Sequence, residues 1–334
     1  MTAPITRTLL LLRSRAGATT YVVFAVAVTV MYWSVLWLDA TWPDGFQFIH
    51  VVLPLFAFAG LPGLALFNAA ARQALSAARP MLKLEVAGYE SLAYRLTVMP
   101  LGIAGVGALL GLLALALLTF FRPAGAFEAL HIFINPFSSL VEACLQFLVW
   151  TGVGIVGLEI ARKLWVIHDI YSHHMNINVL RSRPLTAFAR LAAVMVIFTM
   201  AAVILATIAL AQFGTSITWL FGAGVPTLLA AAAFFAPLWS AHRPMEQQKA
   251  RNLDELGQRI ESTIAQLRTT LDAGHPEELA RTRDALEALR MARDEYRSAS
   301  TWPWQRSTIG GVVTALLAPL AVWLLTRALD EFVR

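Results

Sequence analysis

Seven separate stretches of this 334-residue chain are almost wholly apolar, and each has about the 20 residues that a helix needs to cross the hydrocarbon of a bilayer. They cover residues 17–38, 48–70, 97–120, 139–160, 187–212, 217–240 and 307–326. Inside lipid the backbone must satisfy its own N–H and C=O groups, which leaves helices and closed barrels as the only spanning structures. Continuous apolar runs of this length, without period-2 alternation, select the helix. The expected fold class is therefore all-α, a polytopic transmembrane helix bundle of about seven spans. A soluble globule is excluded by composition. Hydrophobic residues make up 58% of the chain and charged ones only 14%, against roughly 25% charged in an ordinary soluble domain, so too little polar surface exists to cover such a core.

The first run contains Ala25-Val26-Ala27, which resembles a cleavage site, but it stays apolar through Met31, Trp33 and Leu38. That is too long for the apolar region of a signal peptide, and the run is read as an uncleaved anchor. The single cysteine, Cys144, forms no intrachain disulfide and is expected to be a small buried hydrophobe.

The net charge of +5 is informative only through its placement along the chain. With the N-terminus in the cytoplasm, 23 of the 26 Lys and Arg residues fall inside, and only Arg122, Arg327 and Arg334 fall outside. The inside set includes Arg7, Arg13 and Arg15, then Arg72, Arg79, Lys83 and Arg95, then Arg162, Lys163, Arg181, Arg183 and Arg190. The positive-inside rule thus sets the N-terminus inside, the C-terminus outside, and the location as the cell (inner) membrane. Trp37, Trp42 and Trp219 then sit at the outer boundary, and Trp165, Trp239, Trp302 and Trp304 at the inner one, where an indole ring is half dry. A charge pattern dispersed by topology does not indicate a nucleic-acid partner.

Three regions follow: a six-span membrane bundle at 1–241, a cytoplasmic coiled-coil-like hairpin at 242–299, and the seventh span with a short external tail at 300–334. The hairpin region is dense in balanced charge, with eleven acids from Glu246 to Glu295 and ten bases from Arg243 to Arg297. Its apolar residues Leu253, Leu256, Ile260, Ile264, Leu267 and Leu271 are separated by 3, 4, 4, 3 and 4, and the series Leu279, Thr282, Leu286, Leu289, Arg293 and Tyr296 alternates steps of three and four with two polar members. Such spacing defines one narrow seam on each of two helices. Asp272-Ala273-Gly274 can end the first helix, and His275-Pro276-Glu277-Glu278 can start the second. The expectation is an antiparallel helical hairpin between spans six and seven, with Pro244 and Pro303 setting the angles at which its arms meet the membrane. One seam is marginal for so small a unit, so the hairpin is expected to rest on a loop, a second copy of the chain or another protein.

Small residues mark the helix contact faces in lipid. The candidates are Ala59 and Gly63, Gly107 and Gly111, Gly152, Gly154 and Gly157, and Gly311 and Ala315. Prolines at 54, 62, 100, 226, 237 and 319 each free a carbonyl that some neighbour must satisfy.

Chemistry-bearing residues are few. Glu142 and Glu159 are the carboxylates of span four and form a possible intramembrane polar site, with Arg162 or Lys163 as the nearest partners of Glu159. His168, Asp169, His173 and His174 are the only candidates for a metal site, with Asp169 and His173 on one face at helical spacing. No nucleotide-binding loop, hydrolase elbow or kinase signature is present, and no cofactor is predicted. The leading expectation is a non-enzymatic membrane protein whose hairpin mediates self-association or partner binding. A channel or transporter is the alternative, and an intramembrane metalloenzyme comes third.

Overall fold

The computed structural model describes residues 15–38, 48–82, 84–120, 136–175, 183–211, 224–273, 276–302 and 306–333. Arg7, Arg13, Trp42, Lys83, Arg122, Arg181, Trp219, Gly274, His275, Pro303, Trp304 and Arg334 lie outside those residues. Nine α-helices run in order among the described residues: α1 (Arg15–Leu38), α2 (Ile49–Ala78), α3 (Val86–Thr97), α4 (Leu101–Phe120), α5 (Pro136–Asp169), α6 (Arg183–Ala211), α7 (Val225–Ala273), α8 (Pro276–Ser298) and α9 (Arg306–Val333). Seven helical stretches are long and apolar enough to cross a membrane, with α3 and α4 together forming one of them.

The helices are longer than the hydropathy of the spans requires. A 34-residue α5 extends about 51 Å, well beyond the roughly 30 Å of a hydrocarbon core. Its last three turns therefore carry polar side chains alongside the ends of α2 and α3. The principal core gathers around α6, which packs against α2, α7 and α9. It joins Phe67 of α2, Phe188 and Met195 of α6, Phe234 of α7 and Val312 of α9, with Phe67 and Phe198 edge to face at 5.2 Å. A smaller cluster of Tyr32, Leu36, Leu53, Leu145 and Val149 ties α1 to α2 and α5.

The glycines divide by what they face. Gly107 and Gly111 of α4 lie directly on the backbone of α5: a Cβ at Gly107 would stand 2.8 Å from the Cα of Ile155, and one at Gly111 would overlap the carbonyl of Trp150. Gly154 meets Gly107 in the same way from the other side. Gly63 admits the ring of Phe198. Gly152, Gly157 and Gly311, expected to mark contacts, face open space, whereas Ala315 packs against the core. Cys144 is likewise exposed rather than buried, because its face of α5 points away from the other helices.

The prolines also behave differently from one another. The helices continue through Pro54, Pro62 and Pro319, whereas Pro100 coincides with the break between α3 and α4. Pro244 does not interrupt the helix: α7 runs on for 49 residues, about 74 Å along its path. A proline inside a long helix removes one donor, which flanking turns can absorb when they are held elsewhere.

Beyond its membrane part α7 is paired with α8, which packs along it and on no other element to a comparable extent. Ile260 and Leu286 are each 8% exposed, and Thr270 and Thr282 are buried as well. Leu253, Leu256, Ile264, Leu267, Leu289 and Tyr296 are half-buried, while Leu271 is exposed. At the base of this pair Lys249 Nζ donates to the carbonyls of Arg297 and Ala299 at 2.7 and 2.8 Å. It thereby caps the end of α8, where backbone acceptors have no helical partner. His242 stacks flat on Trp302 at 3.8 Å, and its Nδ1 lies 2.9 Å from the carbonyl of Thr301. A carbonyl only accepts, so that nitrogen carries the proton.

Candidate functional site

The densest polar constellation lies on the last three turns of α5. Glu159, Arg162 and Lys163 are three and four residues apart, so all three share one face of the helix. That face is turned into the bundle: Glu159 is 1% exposed and Lys163 not at all. Glu159 bonds to both cations. Arg162 holds its carboxylate in a fork, Nε to Oε2 at 2.8 Å and Nη2 to Oε1 at 2.7 Å, and Lys163 Nζ stands 3.0 Å from the same Oε1. Removing one member of a buried ion pair typically costs 3–5 kcal/mol, roughly. A charge at this depth is retained only with partners on every side.

Those partners come from α2 and α3. Lys163 Nζ donates to Asn68 Oδ1 of α2 at 2.8 Å and to the backbone oxygen of Leu96 in α3. Arg162 Nη1 donates to the backbone oxygen of Arg95. These carbonyls are available for a local reason. In a continuous helix the oxygen of Leu96 would accept from the N–H of residue 100, which is proline and has none. The oxygen of Arg95 would accept from Met99, but the chain turns extended at Val98 (φ −109°, ψ 123°). The cluster holds one anion and two cations, and Arg72, one turn along α2 from Asn68, adds to the positive potential at Lys163. The C-terminal end of α3, with the negative pole of its dipole, faces this excess.

A second, more exposed network continues from it. Arg95 Nη2 pairs with Asp169 Oδ2 at 3.2 Å, and its guanidinium lies over Trp165 at 5.7 Å from the ring centroid. Asp169 also has His173 Nδ1 at 3.1 Å from Oδ1 and His174 Nε2 at 3.9 Å from Oδ2. Both histidines stand on a single π-helical turn, Ile170–His174, which changes the register after Asp169 and brings two successive rings toward one carboxylate. His168 is exposed and takes no part. Among the described residues no three His, Cys, Asp or Glu side chains converge as metal ligands would.

Glu142 is far from these groups, near the opposite end of α5. It lies close enough to the buried Tyr32 of α1 to act on it electrostatically, and the Tyr32 hydroxyl has no hydrogen-bond partner among the described residues. Glu142 and Glu159 are thus two separate sites, not one. Sequence reasoning missed Asn68 and the carbonyls of Arg95 and Leu96. Asn68 carried a signal, a lone amide within an apolar run; the carbonyls carried one only in Pro100, four residues past Leu96.

Fold and site together define a multi-pass helical membrane protein with a buried charge cluster at one end of its bundle. No protein-family model, no curated protein and no solved structure matches this chain.

Proposed function

We propose that this chain is a non-enzymatic protein of the inner membrane, with its N-terminus in the cytoplasm and its C-terminus outside. The α7–α8 pair is a cytoplasmic, coiled-coil-like antiparallel hairpin that mediates self-association. The observation that carries this reading is the unbroken α7. One helix belongs to both the membrane bundle and the cytoplasmic pair, so an associating hairpin holds the bundle in a defined orientation. The paired helix α8 packs along α7 and leaves its outer side uncovered, with Met291 at 63% exposure. The dense, balanced charges of the region suit a solvated docking face, and the bias of Lys and Arg supports the orientation.

Purified full-length chain in detergent is expected to have the mass of an oligomer, and Met291→Glu is expected to shift it toward the monomer. A monomer at every concentration would contradict self-association and leave a different protein as the hairpin's partner.

A channel or transporter is the second reading, supported by the helix break at Pro100, since broken helices line ion paths in such proteins. Here the freed carbonyls are occupied by Arg162 and Lys163, which argues for a closed structural joint. Solute-independent liposome leakage or ion flux through the purified chain would favour this second reading.

A further inference from the structure

Three oxygen atoms from three different elements converge on the nitrogen of Lys163: Glu159 Oε1 at 3.0 Å, Asn68 Oδ1 at 2.8 Å and the backbone oxygen of Leu96. An ammonium has three N–H donors and no acceptor. Three acceptors therefore saturate it, one per hydrogen. Lys163, Glu159 and Asn68 are each more than nine-tenths buried, with Asn68 the most open at 7% exposure.

We propose that this is a primary-ammonium site, filled by the chain's own lysine, and that it is the latch of a hinge at Val98–Pro100. Each feature of the neighbourhood fits a latch. The backbone is extended at Val98 and lacks a donor at Pro100, so no helical hydrogen bond of the Leu96 carbonyl stiffens the joint between α3 and α4. The last turn of α3 is instead held by side chains of α5, through the oxygens of Arg95 and Leu96. α3 has a face of its own to open: Leu92 and Leu96 are buried in the core while Val86 and Tyr94 are exposed. With the ammonium in place, spans two, three and four are drawn together. Without it, one buried carboxylate oxygen, one amide oxygen and one carbonyl lose their shared donor, and α3 is held to α5 only by Arg162 on the oxygen of Arg95 and by the more exposed Arg95–Asp169 pair, which leaves it freer to open.

The latch requires both charge and N–H donors at that point, which small amines can supply in place of the side chain. In full-length Lys163→Ala, amide exchange across residues 86–97 is expected to rise about a hundredfold or more, the scale on which breaking a buried pair acts. Added propylammonium is expected to restore protection, while propanol, with the shape but no charge, and tetramethylammonium, with charge but no donor, are not. Unchanged exchange in the variant, or restoration by propanol equal to that by propylammonium, would overturn the proposal. Should Lys163→Ala fail to fold, Lys163→Met keeps the length and packing of the side chain without its charge. Faster exchange confined to 86–104 in that variant supports the latch, and uniform loss of protection over all helices overturns it.

Discussion

Lys163 Nζ reaches the backbone oxygen of Leu96, the acceptor that Pro100, four residues further on, has no N–H to serve. A side chain in span four thus replaces a backbone donor missing from span three, and the two positions should be thermodynamically coupled. Lys163→Met is expected to cost about 3–5 kcal/mol in the parent chain. In a Pro100→Ala background, where residue 100 regains its N–H, the cost is expected to fall by about 1 kcal/mol. Unfolding of the four proteins of this cycle in detergent measures the difference; equal costs in both backgrounds would show the two residues to be independent.

The buried and exposed carboxylates of α5 should differ in weight. Glu159→Gln leaves Arg162 and Lys163 without an anion in a closed site and is expected to destabilise by about 3–5 kcal/mol. Asp169→Asn breaks a pair whose arginine side chain is 40% exposed, and is expected to cost at most about 1 kcal/mol. The same unfolding measurement ranks the two, and a larger loss from Asp169→Asn would place the structural anchor in the wrong network.

Glycine substitutions should separate by facing. An alanine at Gly107 or Gly154 drives a Cβ into the backbone of the neighbouring helix and is expected to cost about 1–3 kcal/mol. At Gly152 or Gly157 a Cβ meets nothing within 4 Å, and the change is expected to stay within about 0.5 kcal/mol. Similar losses at all four positions would mean that α4 and α5 do not pack through Gly107, Gly111 and Gly154.

The orientation is open to reporter fusions. A cytoplasm-active reporter is expected to work after Arg79, Arg181 and His275 and to fail after Arg334. Activity after Arg334 would contradict the odd number of spans.

The membrane spans were legible because crossing a bilayer demands about 20 apolar residues and little else. Their polar extensions were not. α2 runs on to Ala78 and α5 to Asp169, past the point where hydropathy fades, and those extra turns carry Arg72, Arg162 and Lys163. The 12-residue α3 was overlooked although Tyr89, Leu92 and Leu96 repeat at helical spacing; so short a helix gains its stability from packing rather than propensity. Glu159 and its cations were readable as neighbours on one helix. Lys163 to Leu96 was not, since a bond between a side chain and a carbonyl 67 positions away leaves no pattern in residue types. Gly154 and Gly157 look alike in sequence, and only the helix facing each decides which of them is a contact.

The association of the α7–α8 hairpin is tested most directly by one variant read in two ways. Ile260→Ala with Leu286→Ala removes the two buried aliphatic side chains of the hairpin, and truncations of this kind cost about 2–5 kcal/mol each, more than a marginal unit can absorb. Amide exchange across 253–296 is expected to accelerate while the seven spans keep their protection. Intermolecular disulfides through Ala288→Cys, in a Cys144→Ser background, are expected to form in the parent chain and to disappear in the double variant. Unchanged exchange would contradict the seam, and accelerated exchange with undiminished crosslinks would contradict association through the hairpin.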